Sequence, residues 1–318
     1  MKKIYILMFL FLFSSCISIP FSRGIEPLTE QTMVKGSKDK ILVININGTI
    51  HDSQSKKTFL GSAETNISSR VAEELDKAAE DSSIKSIIFR IDSPGGSVTT
   101  CDIIHNLITE HKKKSNQYIV AHMGSIAASG GYYLSVTADK IIAHPTTVTG
   151  SIGVVAFMVN MEGLLQKIGI EDQTIKSGSA KTMGSPFKKM TKQDRALFQK
   201  IIDSMYNRFI TVILEGRPNL TRKSLLKIAD GRVMISSDAL EHGLIDDIGY
   251  WKEAVKAAEK GAGINNPTII TYSRPGNYHP NAFTIKSGSE SLSLNLISID
   301  SSEFLTKYGI SFMYLWKM

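Results

Sequence analysis

The residue most ready to do chemistry is Ser129. It lies in the run Gly124-Ser125-Ile126-Ala127-Ala128-Ser129-Gly130-Gly131-Tyr132-Tyr133. A hydroxyl nucleophile must be reached by a carbonyl carbon, so small neighbours suit it. The run follows the apolar segment Tyr118-Ile119-Val120-Ala121 and opens a helix-like stretch to about Ala138. A helix start leaves backbone N–H groups without partners. Gly130 N–H is therefore a candidate oxyanion donor. The plainer reading is a Gly/Ala turn where strand and helix pack closely.

A second small-residue loop shifts that balance. Ile87-Ile88-Phe89-Arg90-Ile91 reads as a buried strand, and Asp92-Ser93-Pro94-Gly95-Gly96-Ser97 follows it directly. Tandem glycines after a strand let backbone amides approach a ligand with no Cβ in the way. No Gly-Lys-Ser/Thr follows, and the third glycine of a dinucleotide fingerprint is missing. Two such loops, each between strand and helix, read as two sides of an acyl-transfer site.

A serine also needs a base. His122 and His144 flank it, with Asp92 and Asp139 as acids that can orient a histidine. Lys176 and Lys181 lie in the small, polar segment Ile175–Pro186. A lysine in such a loop is most often simply solvated. Residue chemistry alone leaves this choice open.

The chain resembles the signal peptide peptidase A family, the membrane-associated serine proteases that include protease IV. Four blocks carry the resemblance in order: Asp92–Gly96, Ala127–Tyr133, Thr149-Gly150-Ser151-Ile152-Gly153-Val154, and Lys176-Ser177-Gly178 with Lys181 just behind. Ala138-Asp139-Lys140-Ile141, Ile228–Val233 and Ala239…Gly243-Leu244-Ile245-Asp246 extend it over roughly residues 40–260. The serine and lysine blocks together are specific. The Pro-Gly-Gly block alone is weak.

The resemblance implies a Ser–Lys dyad, a recognised variant of serine-protease chemistry. Ser129 is then the nucleophile, Lys181 the general base, and Ser151 the residue that orients the lysine. Gly95 or Gly96, together with Gly130, would supply oxyanion donors, each worth about 3–4 kcal/mol. Lys176, His122 and His144 are left without a catalytic role. Neither metal nor cofactor is implied. Short family members resemble rings, plausibly octameric domes, whose Ser and Lys come from neighbouring subunits. The implied substrates are remnant signal peptides and other unfolded or membrane-derived peptides, with a small or hydrophobic side chain before the cut. Two rivals stand beside this reading. One is acyl-CoA hydratase or thioesterase chemistry on the same fold, which fits an export signal poorly. The other is a catalytically silent membrane scaffold, which has no need of Ser129, Lys181 and Ser151 together.

The N-terminus has the layout of a secretory signal. Lys2-Lys3 precede the uninterrupted apolar run Ile4–Phe13, and Ser14-Ser15-Cys16 follow. The run is short of the ~20 residues of a comfortable span. Small residues before Cys16 resemble a bacterial lipoprotein site, with Phe13 where leucine is usual, so Cys16 is a candidate for lipidation. An uncleaved anchor reaching Ile19 is the alternative. Either places the catalytic part outside the cytoplasm, on a membrane of the bacterial envelope. The net charge of +7 suits a negative membrane surface. No basic helix interleaved with aromatics argues for nucleic acid. Cys101, alone in the body of the chain, reads as a small packed residue.

The elements that must position these residues alternate between strand and helix. Strands are expected at 41–46, 84–91, 117–122, 140–143 and 152–157. Helices are expected at 68–79 (capped by Ser68 or Ser69), 97–112, 191–215 and 251–260. This pattern argues for an α/β domain, which the resemblance sharpens to a crotonase/ClpP-like spiral of ββα units. The expected organisation is a signal or anchor at 1–20, a stalk at 21–39, the protease domain at 40–264 and a C-terminal tail at 265–318. The tail is rich in Ser and Asn but ends in the apolar patch Ile310–Trp316. Such a patch suits packing on the core, a substrate groove or an assembly contact.

Overall fold

The computed structural model describes residues 27–52, 66–274 and 312–316. The signal or anchor and the lipidation candidate Cys16 lie outside the described residues. Among the described residues no helix is long and apolar enough to cross a membrane.

The chain runs β1 (Thr29–Val34), β2 (Lys40–Asn47), α1 (Ile67–Glu80), β3 (Ile84–Ser93), β4 (Gly95–Ser97), α2 (Val98–Lys114) and β5 (Tyr118–Ala128). Then come α3 (Gly130–Ser135), β6 (Lys140–Ala143), β7 (Val148–Gly150), β8 (Val155–Ala156) and α4 (Glu162–Lys167). A long helix α5 (Lys192–Gly216) follows, then α6 (Arg222–Leu226), β9 (Val233–Ile235), α7 (Ser236–Glu241) and β10 (Asp247–Ile248). The last described elements are α8 (Trp251–Ala262), β11 (Thr268–Ser273) and β12 (Phe312–Leu315).

The strands β1-β11-β2-β3-β5-β6-β10 form one sheet, and β7 and β9 extend it from β5. From β11 to β10 all neighbours on this path are parallel. Parallel strands covered on both faces read as continuous apolar runs, and β2 does: Ile41, Leu42, Val43, Ile44 and Ile46 are all buried. Leu42, Ile44, Ile87, Phe89, Ile119 and Ala121 face a large core that includes residues of α1, α2, α3 and α5. The alternate residues Ile41, Ile88, Val120 and Ile142 face Ala254 and Ala258 of α8. The sheet thus has helices on both faces, an α/β architecture.

The expected helices fall within two residues of their positions. The cap of α1 differs: it is Asn66, whose side chain accepts the Ser69 N–H at 2.8 Å, and not Ser68 or Ser69. An N-cap acceptor must stand outside the helix to reach an N–H of its first turn, and both serines are already inside. The Thr191–Asp194 capping box opens α5.

Four boundaries move. Thr29–Val34, expected in a stalk, is an edge strand antiparallel to β11, with Thr32 opposite Ile270. β11 itself falls in the expected tail and pairs in parallel with β2. An edge strand tolerates polar residues, so composition concealed β1. Gly124–Ala128 continues β5 and does not begin a turn, because Ile126–Ala128 pair with β7 after Val120–Met123 have paired with β6. The serine helix α3 then ends at Ser135, short of Ala138.

Arg217, which caps α5, ties that helix to the sheet. Its guanidinium lies 2.8 Å from Asp246 Oδ1, and its Nε donates to Gly243 C=O at 3.0 Å. Asp246 Oδ2 accepts the Ile141 N–H at 2.7 Å. Burial acts to raise the Asp246 pKa, but these donors outweigh it and hold the carboxyl below its ordinary value. A depressed carboxylate stabilises the fold above its unfolded pKa of about 3.9 and stops doing so as pH falls through the folded value. Arg217→Met should lower stability at neutral pH by about 2 kcal/mol. Urea unfolding should show the gap to wild type closing below about pH 4.

Candidate active site

Ser129 and Ser151 stand side by side. Ala128 of β5 is paired with Gly150 of β7, and each serine is the next residue beyond that pair. Both adopt left-handed backbone, with φ 52° at Ser129 and 50° at Ser151. Such a conformation costs a non-glycine residue about 1–3 kcal/mol and persists only where surroundings impose it. Here Ser129 N–H donates to Gly150 C=O at 2.8 Å, and Ser129 C=O accepts Tyr133 N–H at 2.8 Å. Ser151 N–H donates to Arg232 C=O at 2.7 Å. The serine therefore occupies a fixed, strained corner between strand and helix.

The two glycine loops meet at this corner. Gly95 has φ 98°, and a methyl group on it would lie 2.6 Å from Gly130 N and 1.9 Å from Tyr314 O. A Cβ on Gly130 would lie 3.0 Å from Gly95 Cα and 2.5 Å from Cys101 Sγ. Only residues without side chains permit this approach. Gly95 N–H is already engaged, at 3.1 Å from Ser93 Oγ. Gly130 opens α3, so its N–H has no helical partner. Ser129 itself is only 1% exposed. The openness expected from its small neighbours is absent, since the glycines admit other protein segments as well as a ligand.

The structure brings Ser129, Ser151, Gly95, Gly96 and Gly130 into one neighbourhood and leaves Lys181 apart. Lys181 sits in a single 3-10 turn, Ser179–Thr182, that buries none of its residues. No hydrogen bond or ion pair of its amine is found among the described residues. Neighbouring Lys176 donates to Thr182 Oγ1 at 3.2 Å. Both lysines belong to an arm, residues 157–190, that exposes large apolar side chains. Ile175 is 99% exposed and Val159 71%, and Leu164, Ile168 and Ile170 are also open.

The histidine alternatives do not assemble. His122 is buried against Trp251, ring centroids 5.7 Å apart, and neither ring nitrogen has a hydrogen-bond partner among the described residues. Burial, helped by Arg90 and His144, pushes its pKa down to about 4, so the ring is neutral. His144 is partly exposed, stacks edge-on to Tyr250 at 5.0 Å and contacts Thr146 Oγ1 at 2.9 Å. The Asp92 carboxylate accepts Ile126 N–H at 3.0 Å. Asp139 accepts Ile119 N–H at 2.8 Å and pairs with Lys112 at 2.7 Å. Both acids hold backbone rather than an imidazole. Cys101 is fully buried behind Gly130, and burial raises its thiol pKa, which keeps it protonated. Among the described residues no group of three His, Cys, Asp or Glu is placed to hold a metal ion.

Sequence reasoning did not find β12. It lies antiparallel to β4 on one side and β8 on the other. Tyr314 is fully buried between Tyr133 and Phe209, at ring-centroid distances of 4.9 and 4.7 Å. The apolar patch at the C-terminus was the available signal. Of the destinations open to it, packing on the core beside Gly95 is the one observed.

Comparison with known proteins shows the family. The profile of Peptidase family S49 matches residues 111–265. A signal peptide peptidase SppA of Enterococcus faecium is 36% identical over 250 residues, covering 78% of this chain and 72% of that protein. Protease 4 of Haemophilus influenzae is 37% identical over 232 residues, and the chloroplastic serine protease SPPA of Arabidopsis thaliana 32% over 252. The matched region spans 36% of the length of each of these two longer proteins. The chain belongs to peptidase family S49, a family of serine peptidases.

Proposed function

We propose that the chain is an endopeptidase that cuts peptide bonds through an acyl-enzyme on Ser129, with Lys181 as general base. The observation that carries this is the strained Ser129 corner, at φ 52° and flanked by Gly95 and Gly130. Lys181 takes the Ser129 proton as Oγ bonds to the peptide carbonyl carbon. Backbone N–H groups hold the resulting oxyanion. Of the tandem glycines, Gly96 is the better donor, because Gly95 N–H is spent on Ser93 Oγ. The lysine ammonium then protonates the amine as the C–N bond breaks. Water, deprotonated by the same amine, hydrolyses the ester and frees Ser129.

Lys181 is exposed on an arm whose apolar residues lack cover, so the base is read as coming from a neighbouring copy in a homo-oligomeric ring, with Ser151 orienting it. A chain with this arm in solvent would expose an apolar stretch that monomers rarely tolerate. The passage of β5 from β6 to β7 supports a crotonase/ClpP-like spiral. Remnant signal peptides and other unfolded or membrane-derived peptides are the proposed substrates. The proposed location is the bacterial envelope, with the catalytic part outside the cytoplasm and residues 1–20 as signal or anchor.

Casein and a fluorogenic signal-peptide mimic test this reading. Ser129→Ala and Lys181→Ala should each abolish hydrolysis, and mixing the two should restore part of it by pairing an intact serine with an intact lysine. Retained activity in Lys181→Ala would remove that base. An amine base must be deprotonated, so kcat/KM of the wild type should rise toward alkaline pH. A profile that levels off near 6.5 would point to histidine.

Backbone strain gives an independent check. Ser129→Gly should be as inactive as Ser129→Ala yet more stable than it by about 1 kcal/mol, because glycine tolerates φ 52°. Thermal unfolding of the two variants reads this. Equal melting temperatures would mean the corner is unstrained.

A further inference from the structure

We propose that Tyr133 and Asp102 are positioning residues for the reaction at Ser129, because their side chains clamp α3 to α2 and so set the spacing between the serine corner and the Gly95-Gly96 loop. This rests on reading Ser129 as the nucleophile.

The need for a clamp comes from α3. It has six residues, and a helix that short does not hold its own shape in water. Yet the serine corner depends on it, because Ser129 C=O is tied by Tyr133 N–H at 2.8 Å. A serine at φ 52° stays there only while its surroundings impose it. Something outside α3 must therefore fix Tyr133.

α2 supplies the fixture. Its N-cap is Ser97, the residue after Gly96, so the helix and the glycine loop move as one piece. Two successive residues of α2 then reach the two ends of α3. Cys101 packs under Gly130, where a Cβ would lie 2.5 Å from its Sγ. The Asp102 carboxylate accepts the Tyr133 hydroxyl. Between them, a Cβ on Gly131 would lie 2.7 Å from Ser93 C=O. The glycine contacts are van der Waals contacts and set only a closest approach. The Tyr133–Asp102 bond is directed, and it stops the two segments from parting.

Both partners of that bond are themselves held. Tyr133 is fully buried, with its ring edge-on to His105 at 5.2 Å and to Phe209 at 5.0 Å. Burial, and then the Asp102 carboxylate, raise the phenol pKa, so the hydroxyl keeps its proton and donates. Arg208 of α5 aims the carboxylate from the other side, with Nε and Nη2 each 3.0 Å from Asp102 Oδ1. That ion pair is open to solvent and contributes little to stability alone. Its use is orientation. Neither Tyr133 nor Asp102 has to touch a substrate. Without the bond, Tyr133 N–H is free to shift and the Gly96 and Gly130 amides to move apart. A misplacement of about 1 Å at a reacting centre costs about a hundredfold in rate.

The test uses the full chain with casein and the fluorogenic signal-peptide mimic. Tyr133→Phe keeps the ring and removes the hydroxyl. Asp102→Ala removes the acceptor, and Asp102→Asn keeps an acceptor oxygen. Tyr133→Phe and Asp102→Ala should each lower kcat by roughly tenfold to a hundredfold with KM within about twofold, the mark of an interaction that serves the transition state. Asp102→Asn should recover most of the loss. The double variant should be no worse than either single one, since one bond is removed in each case. Amide exchange, read by mass spectrometry, should speed up by roughly tenfold across Gly130–Ser135 and stay unchanged in β2. Wild-type kcat in Tyr133→Phe would overturn the clamp. So would an Asp102→Asn as slow as Asp102→Ala, or exchange that accelerates equally in β2, which is general loosening of the fold. If the wild type cleaves neither substrate, the Ser129 chemistry itself fails, and exchange across Gly130–Ser135 alone then decides the clamp.

Discussion

The left-handed backbone of Ser129 is the constraint on which the rest of this structure turns. A non-glycine residue at φ 52° persists only when both of its backbone groups are tied. Gly150 C=O takes the N–H, and Tyr133 N–H takes the C=O. The first tie requires β7 to continue the pairing of β5, and the second requires α3 to start at once. Between them they fix where β5 must bend and why the helix behind the serine is short. The neighbouring loop must then approach without side chains, which accounts for Gly95 at φ 98° against Gly130 N.

Most of the scaffold was legible because burial on two faces writes itself into the sequence. β2, β3 and β5 are apolar runs, and the amphipathic helices that cover them have clear starts. The boundaries that moved involve weak patterns. β1 is polar because an edge strand needs little apolar surface, and β11 is only six residues in a stretch otherwise rich in Ser and Asn. The cap of α1 was misplaced by two serines, because capping depends on which residue stands outside the first turn, and propensity alone does not fix that.

The site was legible in part. The small-residue blocks that hold Ser129, Ser151, Gly95 and Gly130 are local, and the fold brings them close together. Lys181 cannot be judged from the same kind of pattern. It lies on an exposed arm, and Ile175 and Val159 show that nothing in the described chain covers that arm. β12 was hidden for a different reason. The residues that enclose Tyr314, Tyr133 of α3 with Met205 and Phe209 of α5, are far apart in sequence, and no single segment announces their cluster.

The Pro-Gly-Gly loop shows how few donors such a site retains. Pro94 has no N–H. Gly95 N–H is held by Ser93 Oγ, which itself donates to Gly48 C=O at 2.6 Å. Of the three residues, only Gly96 keeps an N–H that can face an incoming strand. The loop thus reduces a flexible, donor-rich sequence to one directed amide, that of Gly96. The glycines are needed for access, and Pro94 and Ser93 are needed to make that access selective.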